Sequence, residues 1–214
     1  NLNDMSFDRK FDYVVVNGVL EYAMSFTEGE TPYETFLRNM GIYLNPTGRL
    51  LIAIENRLGL KYFAGAPEDH TDLYFYGIDG YPNNRSVRTF SKKELGELLE
   101  RSGFPFMRFY YPYPDYKFPT EIFTDESLYT YSYGKGYPVY TDKTLNLFAE
   151  ESGVSAFTKE KILDKFVNSF LVDAGTVAGK ESSETLYVKM NQARKEEFRL
   201  LTKIVREGDR LTAV

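Results

Sequence analysis

The sequence predicts an α/β fold whose core is a mostly parallel sheet with helices on both faces. Residues 12–17 contain an unbroken run of Tyr and three Val, which is typical of a parallel strand buried on both sides. A helix is predicted from Thr31, with proline at its first position, and the apolar segment RLLIAIE follows Gly48 as a second strand. Because successive strand, helix and strand form a right-handed crossover, we expect the two strands to be parallel neighbours.

The composition of the 214 residues excludes several classes of protein. Apolar residues make up 43% and charged residues 27%, as in ordinary globular proteins, and no apolar run is long enough for a membrane-spanning helix. With no cysteine, the chain has neither a disulfide framework nor a cysteine-ligated metal. The net charge of −5, without a basic tract, argues against a nucleic-acid partner. We therefore expect a cytoplasmic globular protein that does not insert into membranes.

The middle of the chain is predicted to be largely irregular. NPTG at 45–48 is a predicted turn, and residues 56–88 should begin with a short helix and continue as a long loop. Ser91 and Glu94 form a capping box for the next helix, after which a strand is predicted from Phe106, beside the first two strands. The chain is rich in Tyr and Phe, notably between positions 110 and 140, where these rings either pack a long loop or contact a ligand.

The C-terminal third is predicted to contain two helices and several strands. The helices correspond to DKTLNLFAEE and TKEKILDKFVNSF, and the segment SGVSA between them is a break. A strand is expected from Ser169, followed by strands in ETLYVKMNQ and in the final EEFRLLTKIVREGDRLTAV, with Gly208 and Asp209 in a hairpin turn. We divide the chain into residues 1–175 and a β-rich extension, 176–214.

His70, the single histidine of the chain, lies among acids in the sequence APEDHTD. Its ordinary pKa is near neutrality, so it could remove a proton from a hydroxyl as a general base, or it could instead hydrogen-bond neighbouring backbone. Both roles are compatible with the sequence. One histidine among clustered acids is weak evidence for a metal, and we expect none.

Candidate substrate-binding residues follow the second strand. Asn56 and Arg57 come directly after Glu55, at the carboxyl end of the strand, where α/β sheets place their ligands. Arg57 either clamps a phosphate or carboxylate of an acceptor or forms a salt bridge with a nearby acid. Tyr74 belongs to a group of tyrosines that either wall an acceptor pocket or pack the loop.

Two stretches of the chain resemble one enzyme family: VVVNGVLEYA, and RLLIAIENRLGLKYFAGAPEDHTDLYFYGIDGYP with the later RTFSKKEL. They resemble the C-terminal half of class I S-adenosylmethionine-dependent methyltransferases, and more specifically bacterial methyltransferase-like proteins of cell-surface polysaccharide biosynthesis that accompany glycosyltransferases. The resemblance covers most of residues 1–175, with NRLGLKYFAG as its most distinctive part. It implies a truncated Rossmann-like sheet in which the strand at Ser169 inserts antiparallel near the strand at Met107.

The resemblance also implies positions for the cofactor, S-adenosylmethionine. NDMSF matches the adenine-binding turn, so Asp4 would accept a hydrogen bond from the adenine amino group and the Met5 backbone would meet the ring. Asn17, Gly18 and Val19 would line the methionine end, where a glycine permits close approach. Two further residues would lie at the mouth of the cofactor cleft, Glu21 and Tyr22. This assigns catalysis to His70 and Glu21, and substrate binding to Tyr22, Asn56, Arg57 and Tyr74.

The chain departs from the family pattern because it contains neither the glycine-rich loop nor the ribose-binding acid. We therefore interpret residues 1–175 as a partial methyltransferase domain, which in a longer protein would methylate a small or glycan-related acceptor. Two alternatives stay open: a glycosyltransferase of surface polysaccharide synthesis, although no D-x-D motif is present, and a non-catalytic domain of a multidomain protein. Without the first strands of the parent fold, the opening strand would present an apolar edge, and we expect either a second copy of the chain or the chain's own termini to cover it.

Overall fold

The computed structural model describes residues 6–83, 86–130, 141–179, 184–191 and 194–214. In these ranges the strands are β1 (Phe11–Asn17), β2 (Leu44–Glu55), β3 (Phe106–Tyr113), β4 (Glu121–Thr124), β5 (Ser169–Gly175), β6 (Glu184–Met190), β7 (Leu201–Glu207) and β8 (Arg210–Ala213). The helices are α1 (Ala23–Phe26), α2 (Pro32–Ile42), α3 (Leu60–Phe63), α4 (Lys92–Arg101) and α5 (Glu150–Lys159). All eight strands belong to one sheet, in the order β1-β2-β5-β3-β4-β6-β7-β8.

The sheet is mostly antiparallel, so the expectation of a mostly parallel sheet is wrong. Among the described strands only β1 and β2 pair in parallel. The reason is that β5 enters between β2 and β3 and runs against both, with Val172 opposite Ile52 on one side and Phe109 on the other. As predicted, the strand at Ser169 is antiparallel to the strand at Met107. Consequently β1, β2 and β3 still point in the same direction, although β3 is not a direct neighbour of the first two.

One face of the sheet carries the hydrophobic core. Inward residues of neighbouring strands, such as Val16, Ile52 and Val172, form a single buried cluster with apolar side chains of α2, α4 and α5. On the opposite face of β1, Tyr13 is 63% exposed and Val15 is 67% exposed. The opening strand is therefore covered on one face, not on both as predicted, because the described helices pack on the same side of the sheet.

The predicted starts of α2 and α4 are confirmed. Pro32 occupies the first turn of α2, and its fixed φ angle suits that position. At the start of α4, the Ser91 hydroxyl accepts a hydrogen bond from the Glu94 amide, and the Glu94 carboxylate accepts one from the Ser91 amide. The hairpin between β7 and β8 turns at Gly208, whose positive φ of 60° suits glycine.

Several local predictions are wrong. α5 runs straight through the predicted break at SGVSA, because Gly153 lets the helix lie against Leu60, whose side chain would come within 2.9 Å of a β-carbon there. The second predicted helix is only a short 3-10 turn, Leu163–Lys165, before β5. The turn at 45–48 is a bulge within β2, and β4 forms where an aromatic loop was expected.

The C-terminal strands continue the sheet rather than forming a separate layer. β6 pairs with β4, and β7 and β8 follow as an antiparallel ribbon. The division at residue 175 stays a prediction. No helix among the described residues combines the length and the apolar character needed to cross a lipid bilayer.

Candidate functional site

Four side chains, Glu21, Glu55, Glu68 and His70, form what we call the His70 cluster. β1 ends at Asn17 and β2 ends at Glu55, and because the two strands are parallel their carboxyl ends meet at one edge of the sheet. After β1, a short 3-10 turn, Leu20–Tyr22, brings Glu21 to this edge. The long loop after β2 then delivers Glu68 and His70.

The imidazole of His70 is surrounded by carboxylates. Its Nδ1 lies 2.9 Å from Glu68 Oε1, within hydrogen-bond distance. Its Nε2 lies 3.8 Å from Glu21 Oε1 and 4.0 Å from Glu55 Oε2. All three carboxylate residues are at most 2% exposed. Burying several charged groups this close together costs free energy of folding. Such clusters are typical of functional sites, so this edge of the sheet is a candidate site.

The electrostatics of the cluster favour a protonated His70 in the free protein. Burial would lower the pKa of His70, but the hydrogen bond with Glu68 and the nearby carboxylates of Glu21 and Glu55 outweigh it and raise that pKa to about 10. Burial likewise opposes ionisation of Glu68, yet the hydrogen bonds from His70 and Thr71 lower the pKa of this carboxyl. At neutral pH, His70 must therefore lose a proton before it can act as a base.

Two carboxylate oxygens in the cluster are buried without a hydrogen-bond donor among the described residues. They are Glu21 Oε2 and Glu55 Oε2. The other oxygen of Glu55 is well satisfied, because the ammonium of Lys117 lies 2.5 Å from it and the Tyr116 hydroxyl donates to it at 3.3 Å. The cluster thus retains capacity to accept a proton or bind a cation.

A second buried network anchors the loop that carries His70. The ammonium of Lys61, 2% exposed, lies 2.7 Å from Asp69 and 3.4 Å from Asp115. The Tyr62 hydroxyl also donates to Asp69. The consecutive residues Glu68, Asp69 and His70 therefore each have a buried partner, which fixes the loop against the sheet edge.

A cleft of about 400 Å³ lies on the open face of the sheet beside the cluster. Its lining includes Val15, Asn17, Ala53 and Leu171, and Tyr116, whose hydroxyl bonds Glu55 in the His70 cluster. At Gly18 the φ angle is +62°, and an added β-carbon would lie 3.0 Å from that hydroxyl. Little space therefore remains around the backbone where the chain leaves β1, between the cleft and the cluster, and glycine suits this position.

The structure brings some predicted site residues together. Glu21 and His70 are neighbours, and Tyr22, 42% exposed, stacks edge-on against His70 with ring centroids 5.4 Å apart. Asn17 lines the cleft, and Val19 is half-buried against the core. Asp4 and Met5, the predicted adenine-binding residues, lie outside the described residues.

Three predicted substrate-binding residues have structural partners instead. The Asn56 amide donates to Lys165 and Val167 carbonyls, which uses both its N–H groups. Arg57 forms a salt bridge of 2.6 Å with Glu94 and donates to the backbone of the long loop, which favours the salt-bridge alternative. The Tyr74 hydroxyl donates to the Lys143 carbonyl. Their substrate roles stay predictions.

Two residues of the His70 cluster, Glu55 and Glu68, are not among the site residues predicted from the sequence. Glu55 carried a usable signal, because it is the last residue of an apolar strand whose carboxyl end faces the predicted ligand edge. Glu68 carried a weaker one as a neighbour of His70. Tyr116 belongs to the group of tyrosines predicted either to wall a pocket or to pack the loop. Its contact with Glu55, and that of Lys117, could not be predicted, because a loop after β3 brings both residues there from more than sixty positions away in the chain.

No family model matches the chain, and no curated protein sequence does. Among solved structures the chain is similar to phospholethanolamine N-methyltransferase 2 of Haemonchus contortus, in complex with phosphomonomethylethanolamine and S-adenosylhomocysteine, at 14% identity and a TM-score of 0.37. It is also similar to PKMT2 from Rickettsia typhi, at 11% identity and a TM-score of 0.33. These matches cover 83% and 81% of this chain but only 36% and 37% of the others. The chain thus spans little more than a third of either structure, and at such low TM-scores neither match bears on its chemistry.

Proposed function

We propose that this chain forms part of an S-adenosylmethionine-dependent methyltransferase that acts on a small or glycan-related acceptor. The observation that carries the proposal is the His70 cluster at the shared carboxyl end of β1 and β2, next to the cleft. Ligands of α/β sheets bind at this edge. The antiparallel insertion of β5 between β2 and β3 supports it further, because the family resemblance implies that arrangement.

The cleft has features that suit a nucleoside cofactor. Its volume falls within the range usual for small-molecule sites, and apolar side chains with the Asn17 amide line it. When bound, S-adenosylmethionine would supply a methyl group already activated on sulfur. The protein then has to align the acceptor and, for a hydroxyl acceptor, take up its proton.

Within the cluster, Glu21 is better suited than His70 to take up that proton. Glu21 Oε2 is buried without a donor among the described residues, whereas a pKa of about 10 keeps His70 protonated near neutral pH. Tyr22, exposed beside His70, would contact the acceptor.

Glycosyl transfer in surface polysaccharide synthesis remains the second candidate, and a non-catalytic role in a multidomain protein the third. A glycosyltransferase would bind a nucleotide sugar in the same cleft. Two separate titrations distinguish methyl transfer from glycosyl transfer, one with S-adenosylhomocysteine and one with a uridine diphosphate sugar. Each class of enzyme binds only the donor, or the donor product, of its own reaction.

We expect calorimetric titration to show binding of S-adenosylhomocysteine that is weak, because the glycine-rich loop is missing, and no binding of the nucleotide sugar. Asp4→Ala should weaken that binding at least tenfold, because it removes the predicted acceptor for the adenine amino group. Asp8→Ala, an exposed aspartate nearby, is the matched control and should bind as the unmodified chain does. Binding of the nucleotide sugar alone would favour glycosyl transfer, and no binding of either would exclude a complete cofactor site in this chain.

A further inference from the structure

We propose that Glu21, Glu55 and His70 bind one divalent transition-metal ion such as Mn²⁺ or Zn²⁺. This departs from the sequence, which predicted no metal. Each residue offers one ligand atom, and the three atoms all lie within 4.8 Å of one another. Two atoms that bind the same ion at about 2.0–2.3 Å lie at most about 4.6 Å apart. Side-chain shifts of a few tenths of an ångström would therefore bring all three ligand atoms within bonding distance of one ion.

The unpartnered carboxylate oxygens point to a cation. Glu55 is fully buried and Glu21 is 2% exposed, yet Oε2 of each has no hydrogen-bond donor among the described residues. Glu55 Oε2 is also the atom that lies 4.0 Å from His70 Nε2, so it faces the gap between the ligands. A buried carboxylate oxygen without a partner costs free energy, and a metal ion in the gap would satisfy it.

The imidazole is oriented as a metal ligand. Glu68 is held by the backbone amides of His70 and Thr71 and by the Thr71 hydroxyl, and its other oxygen lies 2.9 Å from His70 Nδ1. When an ion binds and His70 is neutral, Nδ1–H would donate to Glu68 and the Nε2 lone pair would face the gap beside Glu21 and Glu55. A carboxylate behind a histidine is the usual support of a metal-binding imidazole.

A direct ion pair between His70 and the two carboxylates explains the geometry less well. Separations of 3.8 and 4.0 Å are too long for hydrogen bonds from Nε2, but they leave room for an ion between the atoms. With His70 neutral, three carboxylates and the Lys117 ammonium leave two negative charges, which a divalent ion balances. Two carboxylates and one imidazole favour Mn²⁺ or Zn²⁺ over Mg²⁺ and Ca²⁺, which prefer oxygen ligands alone.

Titration of the full chain with Mn²⁺, followed by electron paramagnetic resonance, tests this inference. We expect one bound ion per chain. The affinity for Mn²⁺ should fall at least tenfold in Glu55→Gln and in His70→Gln. It should fall ten- to hundredfold in Glu68→Gln, because the Glu68 carboxylate orients the imidazole. Pulsed measurements should show coupling from an imidazole nitrogen to Mn²⁺ that disappears in His70→Gln. A merely structural defect would not remove this signal while the ion stays bound.

Glu121→Gln is the matched control, because Glu121 is equally buried but is bonded to Tyr187 and Lys189 away from the cluster. It should bind Mn²⁺ as the unmodified chain does. Circular dichroism verifies that each variant is folded, and Glu21→Gln replaces any variant that is not. Absence of Mn²⁺ and Zn²⁺ binding at millimolar concentration, or unchanged binding in folded Glu55→Gln and Glu21→Gln, would overturn the proposal. The measurement needs no methyl donor, so its outcome is independent of the methyl-transfer proposal.

Discussion

Lys61 anchors the loop that carries His70 through its ion pair with Asp69. Its ammonium is almost fully buried between Asp69 and Asp115, and Asp69 precedes His70 in the chain. Burial would lower the pKa of Lys61, but the charges of Asp69 and Asp115 outweigh it and raise that pKa, so the side chain stays charged. The ion pairs thus hold the loop in the one position where His70 reaches Glu21 and Glu55.

Replacement of this cation should destabilise the fold strongly. We expect Lys61→Met to lower the free energy of unfolding by about 3–5 kcal/mol, because Asp69 and Asp115 lose their buried counter-charge. Urea denaturation measures the change. Lys93→Met, at an exposed lysine paired with Glu97 on α4, is the control and should change stability by less than about 0.5 kcal/mol. Equal effects of the two substitutions would contradict the anchoring role.

At the scale of elements, the first turn of α4 fastens the long loop to the sheet. The Glu94 carboxylate caps the helix through the Ser91 amide and also pairs with Arg57 at 2.6 Å and Arg88 at 2.8 Å. Burial would raise the pKa of Glu94, but the hydrogen bonds from Arg57 and Ser91 outweigh it and lower the pKa to about 2. One carboxylate therefore links a helix terminus, the end of β2 and the loop before α4.

This low pKa makes the contribution of Glu94 depend on pH. It is fully present above the unfolded pKa of about 4.5 and is lost as the pH falls through about 2. We expect Glu94→Gln to cost about 1–2 kcal/mol at pH 7 and progressively less towards pH 2. Chemical denaturation across this range measures the difference, and Glu97→Gln, on the exposed side of α4, should show no such trend. A difference that does not vary with pH would refute the assignment.

Elements with strong local signals could be predicted from the sequence, whereas those set by tertiary contacts could not. The proline start of α2, the capping box of α4 and the glycine turn before β8 are local, and all three are confirmed. α5 was misplaced because Gly153 disfavours a helix locally, but its packing against Leu60 requires a residue without a side chain. His70 was predicted as the single histidine, while its proximity to Glu21, which follows β1, depends on the pairing of β1 with β2.

At the scale of the whole molecule, the described sheet ends at β1 in an apolar edge strand, and the described helices leave one of its faces uncovered. Among the described strands β1 pairs only with β2, and its Tyr13 and Val15 side chains are more than half exposed. Strand directions across the rest of the sheet were not predictable, because the direction of β5 depends on how the chain returns after more than a hundred residues.

We propose that two copies of the chain associate through β1, because exposed apolar edge strands readily pair with another strand. Sedimentation at increasing concentration should show a dimer for the unmodified chain. Val15→Lys should return it to a monomer, since a charge on this face opposes close approach of a second copy. Leu211→Lys, which places the same charge on an exposed leucine of β8 at the opposite end of the sheet, should leave the dimer intact. A chain that stays monomeric throughout, or a Val15→Lys variant that dimerises normally, would exclude this edge as the interface.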